Sequence, residues 1–455
     1  MEGIAGRYFG GGRWFGDLRL DRRLCRTFDA MALRPGETLP KKLPGRAALF
    51  GGYRLFNHPR VGHNRIMEAH RQATLEQVTP ADGVVLLLHD TTVLDYSGLE
   101  VEGLGQVGDG HGKGLYAHNS LAIRRSDRRV LGLWNQILHQ RGHAPKGEKR
   151  AARQAREDRE SRLWRDAVAS LPPPSGMPPG VLVIDISDRG SDISEYLDYA
   201  VQHGRTFIVR SQHNRKLLPE ESQSTGKLHA HLRGLAPRAG FQAVVDESLI
   251  PRAMTLTWSK VSIVLPRQKR GEHGEEPLEL VGVIVREQDP VDPESPIEWL
   301  LLTNQKIEDA DQARQVVEDY ACRWMIEEYH KGMKTGCGIE ELQLTTRHGL
   351  DNAIAVLSVL AVHLLRLRCT AREKKLRDQP AITIEEPVKV RLAARTVKES
   401  HWRTMSVWSF YIAVAKLGGY VANPLKRPPG WQTLWHGYVR LNDMAEGVKL
   451  LAEDV

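Results

Sequence analysis

Residues 84–90 read VVLLLHD, in which five apolar residues precede a histidine and an aspartate. A short apolar run of this kind predicts a strand that is buried in a sheet. A second such run, VLVIDI, occupies residues 181–186 and is followed by Ser187 and Asp188. Asp90 and Asp188 therefore each come just past an apolar strand, where α/β sheets usually place their functional residues.

The rest of the chain mixes helix and strand signals around these two runs. Residues 1–70 look helical and rich in loops, whereas residues 235–304 carry strand patterns separated by turn-rich spacers. Helical periodicity resumes from about residue 309. The longest apolar run, residues 353–367, is too short to span a bilayer and predicts a buried core helix. A chain of 455 residues is expected to form two or three domains.

Composition narrows the class of protein. Hydrophobic residues make up 41% of the chain, which is enough for packed cores and excludes a disordered protein. The formal net charge is +8, and residues 1–60 hold twelve basic and five acidic residues, so this segment carries most of the excess. A basic N-terminal region suggests contact with DNA or RNA. The four cysteines share no metal-binding or disulfide-framework spacing, which fits a reducing cytosol.

The N-terminal basic residues form a predicted recognition surface. LRLDRRLCRTFDAMA, residues 18–32, places its arginines at helical spacing on one face, and KKLPGR, residues 41–46, predicts a basic turn. Most of these side chains would contact phosphate and fewer would read bases. The residues predicted to contact DNA here are Arg19, Arg22, Arg23, Arg26, Lys41, Lys42 and Arg54.

A later stretch, YACRWMIEEYHKGMK at residues 320–334, predicts one amphipathic helix. At about 100° per residue, one narrow stripe carries all of its chemically versatile side chains, and apolar residues point the other way. These side chains are Tyr320, Arg323, Glu327, Lys331 and Lys334. Such a stripe fits a surface that grips phosphate. It also fits a solvated face laced with ion pairs, such as Arg323 with Glu327 four residues on.

Asp90, Asp188 and Glu327 together make a candidate catalytic set. Three converging carboxylates could not all stay ionised without a cation, and magnesium takes oxygen ligands of this kind. Two such ions would activate a water and stabilise the leaving oxygen of a phosphodiester. The arginine, lysines and tyrosine of the stripe would then hold the phosphate. The competing acids are Asp95, Asp185 and Glu328, of which Glu328 points about 100° away from Glu327.

The spacing Tyr320-x2-Arg323-x3-Glu327-x6-Lys334 resembles the Y-R-E-K signature of the insertion-sequence-four family of bacterial DDE transposases. HDTTVLDY at 89–96 and DRGSD at 188–192 are similar to the family's two aspartate motifs. By this resemblance Asp90, Asp188 and Glu327 are the catalytic metal ligands, and Arg189 lies beside the second of them.

Three further segments extend the resemblance over nearly the whole chain. WLLLT at 299–303 is similar to a segment whose tryptophan stacks on a base flipped out of the DNA, which gives that role to Trp299. FIVRSQHNRK at 207–216 resembles a stretch that contacts the transposon end, with Arg210 as the contact. AKLGGY at 415–420 resembles part of the C-terminal dimerisation region.

The resemblance implies an α/β fold with a ribonuclease H-like catalytic core. It implies an N-terminal end-recognition domain at 1–70, a catalytic domain at 71–370 with a β-rich insertion at about 235–304, and a helical dimerisation and synapsis domain at 371–455. It implies binding of transposon inverted-repeat ends, metal-dependent cleavage through a hairpin intermediate, and joining of the 3′ ends to target DNA.

The implied cofactor is Mg²⁺, with two ions per active site and Mn²⁺ as a substitute. The implied partners are double-stranded DNA and a second copy of the chain in the synaptic complex, with no membrane, in a bacterial cytoplasm. Two alternatives stay open: a catalytically silent DNA-binding inhibitor or domesticated remnant, and a metal-dependent nuclease that cuts without joining.

Overall fold

The computed structural model describes residues 4–142, 147–148, 156, 158–218, 226–244, 251–266, 273–290, 292–294, 296–373, 376–421 and 429–453. The strands are β1 Val84–Asp95, β2 Gly105–Val107, β3 Gly112–Arg124, β4 Val130–His139, β5 Leu182–Ser187, β6 Thr206–Arg210, β7 Lys216–Leu217, β8 Ala239–Val244, β9 Pro251–Val264, β10 Leu278–Glu287 and β11 Glu298–Thr303. The helices are α1 Ala5–Phe9, α2 Leu18–Leu33, α3 Leu39–Lys42, α4 Arg46–Phe56, α5 His63–Leu75, α6 Arg162–Ala169, α7 Ser194–Gln202, α8 Leu228–Gly234, α9 Ala310–Ala321, α10 Trp324–Lys331, α11 Arg347–Arg372, α12 Pro387–Thr396, α13 Val407–Leu417 and α14 Trp431–Glu453. The fold is therefore mixed α/β.

The chain folds into two compact units, each built from several separate segments. The first unit comprises Met1–Thr79, Thr91–Pro145 and Ile326–Val455, and the second comprises Pro80–Asp90 and Lys146–Met325. Strand β1 is shared, since its residues up to Asp90 belong to the second unit and its later residues to the first.

The second unit is built on a mixed sheet. Strands β1, β5 and β6 are parallel neighbours, and β11, β10 and β9 continue the sheet with antiparallel pairing. The apolar runs predicted to be strands at 84–88 and 181–186 form β1 and β5, and most of their residues are buried. The strands predicted between 235 and 304 are also present as β8 to β11.

One hydrophobic cluster of the second unit lies between this sheet and its helices. Trp164 of α6 and Tyr196 of α7 pack against strand residues such as Phe207 and Ile263. Most of these side chains are branched or aromatic, and burying each one contributes roughly 1.5–3 kcal/mol. The packed side therefore holds β6, through Phe207 and Val209, and β5 is paired to β6 along its length.

The first unit is organised around helix α11. Residues Asn352–Leu365 of this helix are buried throughout, which confirms the core helix predicted from the apolar run at 353–367. Within the described ranges this is the one helix long and apolar enough to cross a membrane, and 89% of its apolar window is buried inside the protein. Its burial identifies it as a core helix.

The first unit also contains a β-hairpin that turns at residues 124–129. Strands β3 and β4 pair from Tyr116↔His139 to Ile123↔Val130. Helix α5 packs on β4, where the backbone N–H of Leu133 donates to Nε2 of His70 at 3.1 Å. His70 is buried, and burial lowers its pKa to about 3, so the ring stays neutral and can accept this bond.

Strand β1 is longer than predicted. The apolar run predicts a strand that ends before Asp90, whereas the strand continues through Asp95. The physical reason is the sequence after Asp90, since Thr91, Thr92 and Val93 are β-branched and favour extended backbone. Asp90 is therefore held inside a strand rather than in a loop.

The single helix predicted for residues 320–334 is wrong. Helix α9 ends at Ala321, helix α10 spans Trp324–Lys331, and Gly332–Gly336 forms a π-helix. The break has a local cause, because the backbone N–H groups of Cys322, Arg323 and Met325 bond to carbonyls three residues back, which tightens the turn. The stripe of residues 320–334 therefore follows a broken helix.

Candidate active site

Asp90 lies on β1, and Asp188 directly follows β5, the parallel neighbour of β1 in the second unit. The register of β1 and β5 ends at His89↔Ser187, and the two aspartates are the next residues along. Adjacent strands lie about 4.8 Å apart, and side chains alternate between faces, so both carboxylates project from the same face. The sheet register thus brings together two acids separated by nearly a hundred residues of sequence.

A buried ion network occupies the opposite face of the same strands. Asp185 accepts hydrogen bonds from Nε and Nη2 of Arg205 at 2.6 and 2.8 Å, and its Oδ1 lies 3.0 Å from Nε2 of His89. Burial alone would raise the pKa of Asp185, but Arg205 and His89 hold it below its ordinary value. Asp185, a competing acid in the sequence, is therefore engaged in the interior and points away from Asp90 and Asp188.

The residues after Asp188 explain the DRGSD motif. Oδ1 of Asp188 accepts the backbone N–H of Gly190 at 2.8 Å, which caps a short 3₁₀ turn. A Cβ at Gly190 would lie 2.9 Å from the ring of Trp164, so only glycine fits there. The hydroxyl groups of Ser187 and Ser191 lie 2.5 Å apart. The motif therefore fixes the backbone that presents Asp188.

The last acid of the motif, Asp192, is a structural anchor. It is fully buried and accepts hydrogen bonds from Nη2 and Nε of Arg215 at 2.6 and 2.9 Å. Its other oxygen accepts the backbone N–H groups of Gln212 and His213. These bonds tie the loop after β5 to the loop after β6, which begins just beyond Arg210.

Arg323 and Tyr320 lie near the two aspartates within the second unit. Nη1 of Arg323 lies 3.7 Å from Oδ2 of Asp90. Tyr320 is 3% exposed, and burial raises the pKa of its hydroxyl. Arg323 and Arg210 lower this pKa, whereas Asp188 raises it further. Arg323, Arg210 and Asp188 therefore all act electrostatically on Tyr320.

Trp299 borders this group. It lies on β11, is partly exposed, and makes an edge-type contact with Tyr320, with ring centroids 5.1 Å apart and planes at 70°. Nη2 of Arg210 donates to the carbonyl of Glu298 at 3.2 Å, which places that arginine beside the same strand. Arg189 is exposed in the turn after Asp188.

Glu327 lies on α10 and is exposed, whereas its neighbour Glu328 is buried. Oε2 of Glu328 accepts hydrogen bonds from Nη2 of Arg368 at 2.8 Å and from Nε1 of Trp431 at 3.0 Å. These contacts lie within the first unit and join α10 to α11 and α14. Sequence reasoning missed this anchor, and the only signal for it was an unexplained acid beside the candidate ligand.

The two lysines of the signature have acidic partners in the first unit. Nζ of Lys331 lies 3.3 Å from Glu328, and the lysine side chain is 64% exposed. Nζ of Lys334 lies 3.2 Å from Oε1 of Glu340. Asp95, another competing acid, bonds to the hydroxyl and backbone of Ser97, and these bonds lower its pKa. Asp95 therefore ends β1 and holds the turn that follows it.

The N-terminal arginines predicted to share a face do so. Arg19, Arg22, Arg23 and Arg26 are all exposed on α2, whose opposite face buries Leu20, Leu24, Phe28 and Met31. On the next elements Arg54 is exposed, and Lys41 pairs with Glu37 at 2.8 Å.

The prediction that Lys42 belongs to the exposed recognition surface is wrong. It lies in the short helix α3 rather than in a basic turn, is 2% exposed, and its ammonium donates to the carbonyls of Glu37 and Cys337. Burial lowers its pKa to about 8. An ammonium enclosed in this way is not available to DNA, so we remove Lys42 from the proposed contacts.

Helix α4 presents a residue that the sequence prediction overlooked. Phe50 is 49% exposed, and the guanidinium of Arg46 lies 5.6 Å from its ring centre. Arg46, Phe50 and Arg54 are spaced four residues apart and so follow one face of the helix. The spacing of these three residues is visible in the sequence. Because Phe50 separates the two arginines, the face was not identified there as basic.

The donor set of the second unit fits a hard divalent cation. Asp90 and Asp188 offer carboxylate oxygens from one face, which are the ligands that Mg²⁺ prefers. Within the described ranges no group of three or more His, Cys, Asp or Glu side chains is arranged to hold a metal. Glu327 belongs to the other unit, and its convergence with the two aspartates stays a prediction.

Two stretches of the chain match known protein families. Residues 12–61 match the family described as Transposase DNA-binding, and residues 158–364 match the family described as Transposase DDE domain. The first range contains the exposed arginines of α2, and the second contains Asp188 and Glu327, whereas Asp90 lies outside both.

One solved structure similar to the chain is described as a cryo-EM structure of the piggyBac transposase synaptic complex with hairpin DNA. The two are 8% identical, and the TM-score is 0.37 over 81% of this chain and 74% of that chain. A likeness this weak carries no argument here.

Proposed function

We propose that this chain, which has a transposase DNA-binding domain and a transposase DDE domain, is a cut-and-paste DNA transposase of the insertion-sequence-four type. It would bind the inverted-repeat ends of a transposon, cleave them through a hairpin intermediate, and join the 3′ ends to target DNA. The observation that supports this proposal is the register of β1 and β5, which ends one residue before each aspartate, together with Nη1 of Arg323 at 3.7 Å from Oδ2 of Asp90.

Asp90, Asp188 and Glu327 would hold the divalent metal, which we propose to be Mg²⁺, two ions per site, with Mn²⁺ as a substitute. When bound, the metal would lower the pKa of the attacking water and stabilise the leaving 3′ oxygen. The buried pairs behind the acids, Asp185 with Arg205 and Glu328 with Arg368, would keep the ligand-bearing backbone in place.

The remaining residues of the signature would orient the scissile phosphate. Arg323 offers a planar fork of donors, and Tyr320 offers a hydroxyl that burial keeps protonated. On binding DNA, the lysines would exchange their acidic partners for phosphate oxygens. The proposed phosphate contacts are Tyr320, Arg323, Lys331, Lys334, Arg189 and Arg210.

The exposed α2 arginines would hold the DNA end, mostly through phosphates. Lys41 and Arg54 would extend that surface, and Arg46 with Phe50 would add to it. We also propose a ribonuclease H-like core, supported by the parallel strands β1, β5 and β6. The domain limits at 70 and 370, the β-rich insertion and a homodimer in the synaptic complex belong to the same proposal.

Trp299 would stack on a base flipped from the DNA end, because a partly exposed indole held by Tyr320 offers a rigid aromatic platform. Trp299→Ala should slow hairpin formation more than the first nick, since only the hairpin step needs the flipped base. Gel analysis of nicked and hairpin products over time measures both steps. Equal slowing of the two steps would assign Trp299 a structural role.

The deciding experiment incubates the purified protein with Mg²⁺ and DNA carrying the short inverted repeats that flank its gene. Hairpin ends and joined products support the proposal. Binding without cutting would show a silent DNA-binding protein, and nicks without joining would show a nuclease. EDTA should remove all products while end binding persists.

A further inference from the structure

The hairpin between β3 and β4 carries a strongly basic turn that the proposed transposition chemistry does not use. Residues 124–129 read RRSDRR, four arginines around one aspartate. Nη1 of Arg124 lies 3.2 Å from Oδ2 of Asp127, so this acid is already paired inside the turn. With four arginines and one aspartate, the turn carries a net positive charge.

Part of this turn lines a cavity of about 240 Å³ within the first unit. Three other segments complete the lining: α1, the C-terminal end of α11, and residues 376–385. Four arginines face the cavity, together with two threonines that supply neutral hydroxyl groups. They are Arg7, Arg124, Arg129, Arg366, Thr370 and Thr383.

The acids of the lining neutralise the arginines only in part, since in the described part of the chain Asp127 pairs with Arg124 alone. Glu385, the second acid beside Asp127, is held by Nζ of Lys389 at 3.2 Å and by the hydroxyl of Tyr438 at 2.7 Å. Among the described residues no carboxylate forms an ion pair with Arg7, Arg129 or Arg366. The cavity therefore carries an excess of positive charge.

Arg366 is held in a fixed position at the wall of the cavity. Its Nε donates to the carbonyl of Val130 at 3.0 Å, its Nη2 donates to the carbonyl of Leu131, and its guanidinium stacks over the ring of Tyr8 at 5.0 Å. A guanidinium fixed in this way is preorganised. The arginine side chain therefore loses little further conformational entropy when an anion binds to it.

The electrostatics of the cavity show the effect of crowded like charges. Burial lowers the pKa of Arg129, and Arg124 and Arg366 lower it further. Burial also lowers the pKa of His363, another lining residue, to about 4, so this ring adds no charge at neutral pH. An anion in the cavity would relieve the repulsion among the arginines.

We propose that this cavity is a binding site for a phosphate group. Arginine forks match phosphate oxygens in pairs, and the volume accommodates one phosphate with water but not a stacked base pair. The phosphate could come from a DNA backbone or from a free phosphate compound. None of the four arginines is among the proposed end-recognition or catalytic residues, so the site is distinct from both sets.

The test measures the melting temperature of the full chain with increasing inorganic phosphate, at constant ionic strength set by sodium chloride. Phosphate should raise the melting temperature, because a ligand of the folded state stabilises it. In Arg129→Gln the apparent phosphate affinity should fall about tenfold, the loss of one charge-assisted bond. Arg128→Gln is the matched control: it removes the same charge from the next position, outside the cavity, and should keep the affinity.

A second arm separates the two sources of phosphate. Binding of duplex DNA is measured over a range of salt, since each phosphate contact adds about 0.9 to the slope of log affinity against log salt. If the site takes a DNA phosphate, Arg129→Gln lowers that slope by about one and Arg128→Gln does not. If the site takes a free phosphate, Arg129→Gln leaves the salt slope of DNA binding unchanged. The variant then weakens only the rise in melting temperature with phosphate.

Two results would overturn the proposal. One is a melting temperature that responds to phosphate no more than to chloride. The other is an equal loss of phosphate affinity in Arg128→Gln and Arg129→Gln, which would show general charge screening. Neither result bears on the proposed transposase activity, because no residue of this cavity belongs to the catalytic set.

Discussion

The regions around Asp188 and Glu327 both contain a buried, paired acid, but the partners of that acid come from different parts of the fold. Near each proposed metal ligand stands a buried acid that an arginine holds: Asp185 with Arg205, and Glu328 with Arg368. The partners of Asp185 come from the same sheet, from β1 and from the residue before β6. The partners of Glu328 come from α11 and from α14, the last helix of the chain.

This difference has a consequence for function. The strand region is fixed by hydrogen bonds within one sheet, so it depends little on the rest of the chain. The helix region is fixed through Trp431, 103 residues away, so the position of α10 depends on the C-terminal helix. We expect changes in α14 to affect the Glu327 side of the proposed site and to leave the aspartate side intact.

The largest expected effect is the loss of cleavage when the proposed metal ligand Glu327 is removed. Glu327→Ala should reduce cleavage more than about a thousandfold, as loss of a group in a concerted catalytic set does. Its melting temperature should be unchanged, because the side chain is exposed. Glu318→Ala, an exposed acid of α9 that pairs with Arg314, is the control and should cut normally. Retained cutting by Glu327→Ala would remove this residue from the site.

The next effect is on stability in the strand region. Arg205→Ala leaves Asp185 buried without its main partner, and breaking a buried ion pair in this way costs about 4 kcal/mol. Denaturant unfolding measures the loss. Arg233→Ala is the control, since Arg233 pairs with Glu298 near the surface and its loss should cost less than about 1 kcal/mol. Equal losses in the two variants would contradict a buried anchor.

A smaller effect is expected in the helix region. Trp431→Phe keeps an aromatic ring near Arg368 but removes the hydrogen bond to Glu328, which should cost about 1.5 kcal/mol and slow cleavage about tenfold. In Trp435→Phe the lost indole N–H has no acceptor among the described residues, so cleavage should be nearly normal. DNA-end binding should persist in both. Identical cleavage rates would show that α14 does not position Glu327.

The smallest effect is the pH dependence of the strand anchor. The pKa of Asp185 is held below its ordinary value of 3.8 in the folded chain, so its contribution to stability is present above that pH. The contribution should be lost as pH falls below about 4 and Asp185 takes up a proton. Asp185→Asn should therefore show a shallower decline of stability in acid than the unaltered chain. Parallel declines would contradict a paired, ionised Asp185.

The sequence was most informative about the strand region. The apolar runs located β1 and β5, and the alternation of strand side chains separates Asp188 from the buried Asp185. The apolar run did not show where β1 ends, because the β-branched residues after Asp90 extend the strand and β1 pairs with β3 in the folded chain. The predicted strand was therefore too short.

The helix region was less predictable for a physical reason. The partners of Glu328 lie 40 and 103 residues away, and no local pattern marks them. The burial of Lys42 has the same origin, since its ammonium meets a carbonyl 295 residues further on. Periodicity located the apolar face of residues 320–334, but it did not show the local break after Ala321 or the π-helix at Gly332–Gly336, where tertiary packing acts. At Gly332 and Gly336 that packing is the rings of Trp431 and Trp435.

We propose that Asp90, Asp188 and Glu327 hold the same divalent metal. Anomalous diffraction from crystals of the full chain with an inverted-repeat DNA end and Mn²⁺ tests it most directly. If the three residues hold the metal together, manganese peaks should lie about 2.1 Å from carboxylate oxygens of all three. Manganese bound without Glu327, or bound at neither aspartate, would contradict it.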